Sequence, residues 1–456
     1  MPLKRYIFAF IFGLSLLGLN STLQAQRTDF VELRPKQNSP LSRFGLGDPL
    51  DQWTATSAGM GGITTVWQNP FLLNLVNPAS LANLQTASFE VGLYGRVGTL
   101  SDNQSEAQTA SGNLQYLALG FPLRNPINVN LDRGDTRWNA GMAFSIAQTS
   151  LVGYDLELEE ADNNLGVTSN LLKGNGGTYK VSWSNAFRYQ GLSGGISFNY
   201  NFGRLTNDRV VVFDSIATAL ATEVLEEYNV NGWSLGYGLQ YALDLNSIDN
   251  DGVKKPNGKR LLFGVQGTLQ SEIRTKSDLL FRRFSPSNSL FVSDTLQFIE
   301  DEPGNVVLPS SVTFGVGYQV ANKLFASAEY GLSNWSNYRN DAQNDRLVDG
   351  NRLAFGLEYI PDFDSYNSYF KRLRYRFGVR LEDDPRSLEG EQARRQAVTF
   401  GLGLPIIMPR QQVSFLNIAV EIGRFGVPDV IDESYVQFTV GFSLNDNTWF
   451  LKRKFN

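Results

Sequence analysis

From residue 87 onward, apolar and polar positions alternate with a period of two. In the last such segment Val436, Phe438, Val440, Phe442 and Leu444 alternate with Gln437, Thr439, Gly441 and Ser443. Upstream, Val398, Phe400, Leu402 and Leu404 alternate with Thr399, Gly401 and Gly403, and Leu373, Tyr375, Phe377, Val379 and Leu381 alternate with four arginines and a glycine. The same period runs through Leu353–Tyr359 and Ile196–Phe202. A period of two means strands with unlike faces. A soluble β-sandwich also alternates. Here the apolar face is heavily aromatic, the segments run about 10–14 residues, and the polar face carries charges and glycines. Those features point to a transmembrane antiparallel β-barrel, with aromatic girdles outside and a polar lumen.

Fourteen such segments can be counted: 87–98, 113–122, 137–160, 175–189, 191–215, 228–245, 259–275, 309–320, 322–336, 350–361, 370–382, 395–406, 411–424 and 434–445. An even count suits a bacterial single-chain barrel. Very short connections fall at about 190, at Ala321 and at 407–410, and the longest is predicted over 276–308. Short turns belong in the periplasm, so this pattern predicts both termini there, although connections 123–136 and 246–258 are long for that side. Ser215–Glu227 is rich in helix formers and is expected to form a short surface helix.

The first residues have the layout of a secretory signal: Lys4 and Arg5, an apolar run from Ile7 to Leu19, and a small-residue cleavage site ending at Ala25. That run is short for a membrane-spanning helix. The 456 residues contain no Cys and no His, and 40 basic against 45 acidic residues leave a net charge of −5. Thiol chemistry, disulfides, Cys-based metal sites and a Ser-His-Asp triad are therefore excluded. The acidic balance argues against a nucleic-acid partner. No paired-carboxylate or nucleophile set stands out, so no enzyme activity, cofactor or metal is expected.

About 60 residues separate the signal from the first strand. They hold Arg43-Phe44-Gly45-Leu46-Gly47-Asp48, then Ala58-Gly59-Met60-Gly61-Gly62, and later Asn77-Pro78-Ala79. The Gly59, Met60, Gly61, Gly62 and Asn77, Pro78, Ala79 motifs resemble the N-terminal hatch of FadL-type outer-membrane transporters of hydrophobic compounds. Arg43–Asp48 and the charged C-terminal tail resemble a branch of such barrels in Bacteroidota. The resemblance implies a hatch plugging a fourteen-stranded barrel. It also implies a lipophilic ligand released sideways through a gap beside a kinked third strand, where Gly141 and Gly153 would suit a kink. The specific match covers the leading segment alone, and the wider barrel group includes secretion-system subunits.

The eleventh segment carries Arg372, Arg374, Arg376 and Arg380. If Tyr375 and Phe377 face lipid, the arginines face the lumen, since a midplane arginine on the lipid side costs about 2–4 kcal/mol. Glu329, Glu358 and Glu421 lie on predicted inward faces. The set reads either as a network tying wall to hatch or as a site for an anionic headgroup. Asp249-Asn250-Asp251-Gly252 fails the calcium-loop template and reads as a turn. Asp341, Asp345 and Asp349 read as a solvated outer loop. The chain is thus expected to be an all-β outer-membrane barrel of about fourteen strands, with a signal peptide over 1–25, a hatch over 26–86 and the barrel over 87–456. Its expected partners are outer-membrane lipid and either a hydrophobic small molecule or other outer-membrane proteins. The favoured function is FadL-like passive uptake of hydrophobic small molecules. The alternative is a non-transporting barrel subunit of a barrel-insertion or type IX secretion assembly. A subunit of that kind would have a plugged lumen and an exposed apolar or aromatic patch beyond the lipid belt.

Overall fold

The computed structural model describes residues 39–446, apart from residues within 103–104, 125–136, 163–165, 217–218, 246–256, 286–293, 344, 408–411 and 428–429. The signal segment, the Asp249–Gly252 turn and the C-terminal tail lie outside the described residues. Fourteen antiparallel strands follow one another round a closed wall: β1 (Ala87–Ser101), β2 (Glu106–Pro122), β3 (Trp138–Asp162), β4 (Gly166–Tyr189), β5 (Leu192–Phe213), β6 (Ala221–Asp244), β7 (Lys259–Thr268 continued by Ser271–Phe284), β8 (Asp294–Leu308 continued by Ser311–Val320), β9 (Leu324–Ser333), β10 (Gly350–Tyr359), β11 (Arg374–Leu388), β12 (Glu391–Ile407), β13 (Val413–Val427) and β14 (Ile431–Asp446). β14 pairs with β1 from Ala87↔Asp446 to Ser101↔Asp432, which closes the barrel.

The faces are those of a membrane protein, inverted relative to a soluble one. Phe400 is 50% exposed while its neighbour Thr399 is 0% exposed. Large apolar side chains such as Leu93, Trp233, Phe314 and Val440 point outward, and Ser, Thr, Asn and Glu point inward against protein. Alternation thus places the apolar set against lipid, as the sequence predicts.

β3 and β4 have 25 and 24 residues, whereas about 9–11 suffice to cross the hydrocarbon. The wall from β3 to β8 therefore stands well above the belt on the long-loop side. Two sequence expectations fail there for one reason. Residues 276–308 are mostly not a loop: Ser271–Phe284 pairs with β6 and with Asp294–Leu308. The predicted helix over Ser215–Glu227 is also corrected, because Ala221–Glu227 belongs to β6 and from Thr222 onward is paired on both sides, with β5 and β7. Ladder partners on both edges outweigh a local helix preference of a few tenths of a kcal/mol per residue.

The seam between β2 and β3 is incomplete. The two strands pair only from Tyr116↔Ala147 to Pro122↔Gly141. Beyond that, β2 has only β1 as a wall partner, to Ser101↔Glu106, and β3 has only β4, to Asp162↔Gly166. β3 carries a register shift between Gln148 and Ser150 at the level where the strands part. The irregularity sits at Thr149, between the two glycines the sequence suggests for a kink.

Candidate functional site: hatch, wall and apolar pocket

Residues 39–86 occupy the barrel interior as a chain with little regular structure: a helical turn α1 (Ala55–Ala58), 3-10 turns at Pro40–Arg43 and Pro78–Asn83, and a two-residue strand, Asp48–Pro49, on the free edge of β3. Its backbone groups must therefore find partners in the wall. The amides of Thr64 and Thr65 donate to Glu329 Oε1 at 2.8 and 2.5 Å. The Gly61 amide donates to Thr399 Oγ1 at 2.8 Å, and the Leu73 amide to Glu90 Oε1 at 2.7 Å. Gln240 donates to the Thr65 carbonyl, Asn139 to that of Ala82 and Arg352 to that of Gly62. These partners come from β1, β3, β6, β9, β10 and β12, so the ties run round the wall.

The hatch motif makes the tightest part of this fit. Met60 and Ala79 are fully buried. Gly61 has φ +67°, in the left-handed region. A Cβ on Gly378 of β11 would lie 2.1 Å from the Gly61 nitrogen, and one on Gly59 would lie 2.8 Å from the Gly401 Cα. The inward glycines of the wall are therefore seats for the hatch. Gly141 behaves likewise, with a Cβ there falling 2.1 Å from the Leu81 oxygen. Asn77 accepts from the Ala79 amide at 3.0 Å and donates to the Thr65 carbonyl at 2.6 Å, which fixes the turn that starts at Pro78.

Three of the four arginines singled out by sequence face inward. Arg374 Nη1 and Arg376 Nε reach the two oxygens of Glu358 at 3.0 and 2.8 Å. Arg376 also donates to Asn417 Oδ1 at 2.8 Å. Arg380 Nη1 lies 2.9 Å from Asp51 of the hatch, and its Nη2 lies 2.6 Å from Glu421, which also accepts from the Tyr435 hydroxyl. Arg372 stands apart. It ends the short helix Tyr369–Arg372, before the strand parity begins at Arg374, and rests over the Tyr369 ring, 5.4 Å from its centroid. Leu373, predicted to face lipid, is buried at that junction.

Further members extend the network. Arg352 pairs with Glu329 at 3.2 Å. Arg386 bonds Asp384, the carboxylate of Asp48 and the Leu41 carbonyl of the hatch. Trp53 lies between two guanidiniums, those of Arg352 and Arg380, 4.9 and 5.0 Å from its ring centroid. Arg352 was within reach of parity, since it alternates inward with Ala354, Gly356 and Glu358. Arg386 follows Pro385, after the β11–β12 register breaks at Asp383, and no periodic signal marks it. Burial raises the carboxyl pKa of Asp51, but Arg380, with Arg395 and Arg352 beside it, outweighs burial and holds it below the ordinary aspartate value.

The acidic cluster of the β9–β10 loop is organised rather than merely solvated. Asp341 accepts from the Asn305 amide at 2.8 Å and Asp349 from the Ser336 amide at 2.9 Å. Asp345 accepts from the hatch amide of Gly45 at 2.5 Å, and burial pushes its carboxyl above the usual value.

Two surfaces remain. Under the long-loop end, Phe44, Leu46 and Leu50 of the hatch face Val230, Ile273 and Trp335 across an apolar cavity of about 280 Å³. Next to it the hatch follows the free edge of β3, with Asp48↔Leu151, Pro49↔Ser150, and the Leu50 and Ser39 amides donating to Thr149 and Gly153. At the short-turn end, the β10–β11 connection carries aromatics outward: Tyr366 is 97% and Phe370 71% exposed.

The model of the BamG family matches residues 30–456. No curated protein matches the chain. Among solved structures, the Pseudomonas putida toluene transporter TodX is 17% identical over 88% of this chain and 99% of its own, with a TM-score of 0.51. A Pseudomonas aeruginosa FadL homologue is 12% identical over 87% of this chain and 98% of its own, also at 0.51. At such identities the likeness is one of fold: a fourteen-stranded barrel of the FadL type.

Proposed function

The chain belongs to the BamG family, and from that premise we propose that it is a plugged outer-membrane barrel acting as a non-transporting subunit of a larger assembly of the barrel-insertion kind. The observation that carries this reading is the hatch, hydrogen-bonded to the wall from β1, β3, β6, β9, β10 and β12. Opening the lumen would strand those buried amides and carboxylates together, at about 1–3 kcal/mol for each group left unpaired. A subunit needs a surface for its partners, and the exposed Tyr366–Phe370 aromatics supply a candidate at the short-turn end, which this reading places in the periplasm with both termini.

One pair of observations favours a second reading, the passage of a hydrophobic small molecule: the apolar cavity under the long-loop end and the parted β2–β3 seam beside it. TodX is a toluene transporter, and a lipophile of that size would fit about 280 Å³. The two readings separate in a mild-detergent pull-down of the tagged protein from its native outer membrane, with mass spectrometry of proteins and lipids. Stoichiometric protein partners support the subunit. A lone barrel that carries a lipophile overturns it in favour of transport.

A further inference from the structure

Hydrocarbon side chains cover most of the lipid-facing wall. On β13 the outward positions from Leu416 to Ile422, and on β14 those from Val436 to Leu444, carry nothing else. β4 departs from this pattern. Its outward residues are Tyr179, Val181, Trp183, Asn185, Phe187 and Tyr189. Trp183 and Phe187 are exposed and Ala186 is buried on the inner side, so Asn185 has the parity of the lipid face. Its register neighbours, Met142 on β3 and Ile196 on β5, are apolar.

The two tyrosines mark the edges of the belt. They are ten positions apart, which in a tilted strand is about 25 Å along the membrane normal, the height of an outer-membrane apolar band. Asn185 stands four positions from Tyr189, about 10 Å inside that band. No bulk water lies at that depth. The carboxamide of Asn185 has no partner among the described residues, and neither of its polar atoms is closed off by protein. An amide left unpaired in hydrocarbon is costly, and polar side chains at membrane depth are satisfied across contacts with other membrane-embedded protein.

Three features select the occupant. An amide both donates and accepts, so it is its own complement. A twofold axis along the membrane normal keeps every residue at its own depth, and it therefore sets Asn185 opposite Asn185. The spacing also fits. Sheets packed face to face lie about 10 Å apart, and two Asn side chains reaching about 3.5 Å each across a hydrogen bond of about 2.9 Å span about the same distance. Finally, four strands at about 4.8 Å by about 25 Å give about 500 Å² per copy, or about 1,000 Å² for a pair, where specific interfaces begin. The face is ordered in advance: Trp183 lies between Phe144 and Phe198, with ring centroids 6.4 and 5.6 Å away.

We propose that the outer face of β3–β6 is an interface between two copies of this chain in the membrane, closed by an Asn185–Asn185 amide pair. The inference depends on neither reading of the function.

The chain contains no Cys, so single-cysteine variants report proximity without background. Phe187→Cys lies on the same face and leaves the amide in place. Phe377→Cys on β11, on the far side of the wall, is the control. Each variant would be co-expressed as two differently tagged full-length copies and treated in native outer membrane with a bis-maleimide. F187C should give a product of twice the chain mass that carries both tags, and F377C at least tenfold less of it. Asn185→Leu in the F187C chain keeps the volume and suits lipid. It should cut that product at least fivefold while keeping the heat-dependent gel mobility of a folded barrel. If F187C does not fold, Tyr189→Cys on the same face replaces it. Absence of a doubly tagged product, or as much of it from folded N185L, overturns the proposal. A product joining one copy to a different polypeptide also overturns it and assigns the face to another membrane protein.

Discussion

Arg380 on the wall and Asp51 in the hatch form a two-pronged contact, with Nη1 lying 2.9 and 3.1 Å from the two carboxylate oxygens. Through its other nitrogen the same guanidinium holds Glu421 at 2.6 Å. It is thus shared by a hatch carboxylate and a wall carboxylate, as Arg386 is by Asp48 and Asp384. Arg380→Met would leave both carboxylates buried, and removing one partner of a buried pair costs about 3–5 kcal/mol. Asp51→Asn should cost less, because Arg380 keeps Glu421. Chemical unfolding of the two variants in detergent, followed by intrinsic fluorescence, should rank them in that order. Equal losses would mean that Asp51 carries the contact alone.

Asp51 also predicts an acid response. Its folded pKa is depressed below the ordinary aspartate value of about 3.9. The stability it contributes is therefore fully present above that value and is lost as pH falls through the lower, folded one. Asp345 has the opposite sign. Its folded pKa is raised, so its contribution is present below the ordinary value and declines as pH rises through the folded one. Unfolding midpoints measured against pH should show an acid-side loss in the wild type that D51N lacks. D345N should instead flatten the slope just above the ordinary aspartate range. An unchanged acid limb in D51N would assign acid sensitivity to other carboxylates.

Close approach of backbones makes a steric prediction. The Cβ of Gly378→Ala would lie 2.1 Å from the Gly61 nitrogen, and backbone on both sides leaves it little room to move. Overpacking of this kind costs about 1–3 kcal/mol. Its effect should fall on hatch docking rather than on the wall, whose ladder at Gly356↔Gly378 stays intact. Planar-bilayer recordings should show a closed wild type and intermittent openings in G378A. A G378A barrel as closed as wild type would mean that the hatch shifts without unsealing.

Parity made most of the wall legible. Strands whose apolar residues must meet lipid cannot slip by one position, so Phe400 and Thr399 declared their faces in the sequence, as did Glu358 and Arg376. Parity fails where the chain leaves the bilayer. Lys276 and Ser277 stay in a strand because β6 and β8 pair with them, not because of any alternation. Arg372 fails for the reverse reason: it continues the arginine spacing but sits on a helical turn. The hatch was legible as motifs alone. Its contacts join residues some 300 positions apart, as between Gly61 and Thr399, and no local pattern encodes such pairs.

The exposed aromatics at the short-turn end carry the prediction that bears most directly on function. Tyr366 and Phe370 are largely exposed, yet the connection that bears them is held in place: the Tyr369 hydroxyl donates to the Pro405 carbonyl at 3.1 Å, and the Tyr375 hydroxyl to the Phe370 carbonyl at 3.1 Å. Little of the protein covers either ring, and burying one such ring against a partner contributes about 1.5–3 kcal/mol. A Tyr366→Ser, Phe370→Ser double variant touches neither anchor. It should fold with a stability change within about 0.5 kcal/mol, as expected of surface substitutions. If these rings dock a partner, the same variant should lose co-purifying proteins from native membrane while keeping its own level and its heat-dependent gel mobility. A variant that retains its partners in full would move the docking surface elsewhere on the barrel. One that pulls down no partner even as wild type, but retains a lipophile, would leave the cavity lined by Phe44, Leu46 and Ile273 as the functional centre.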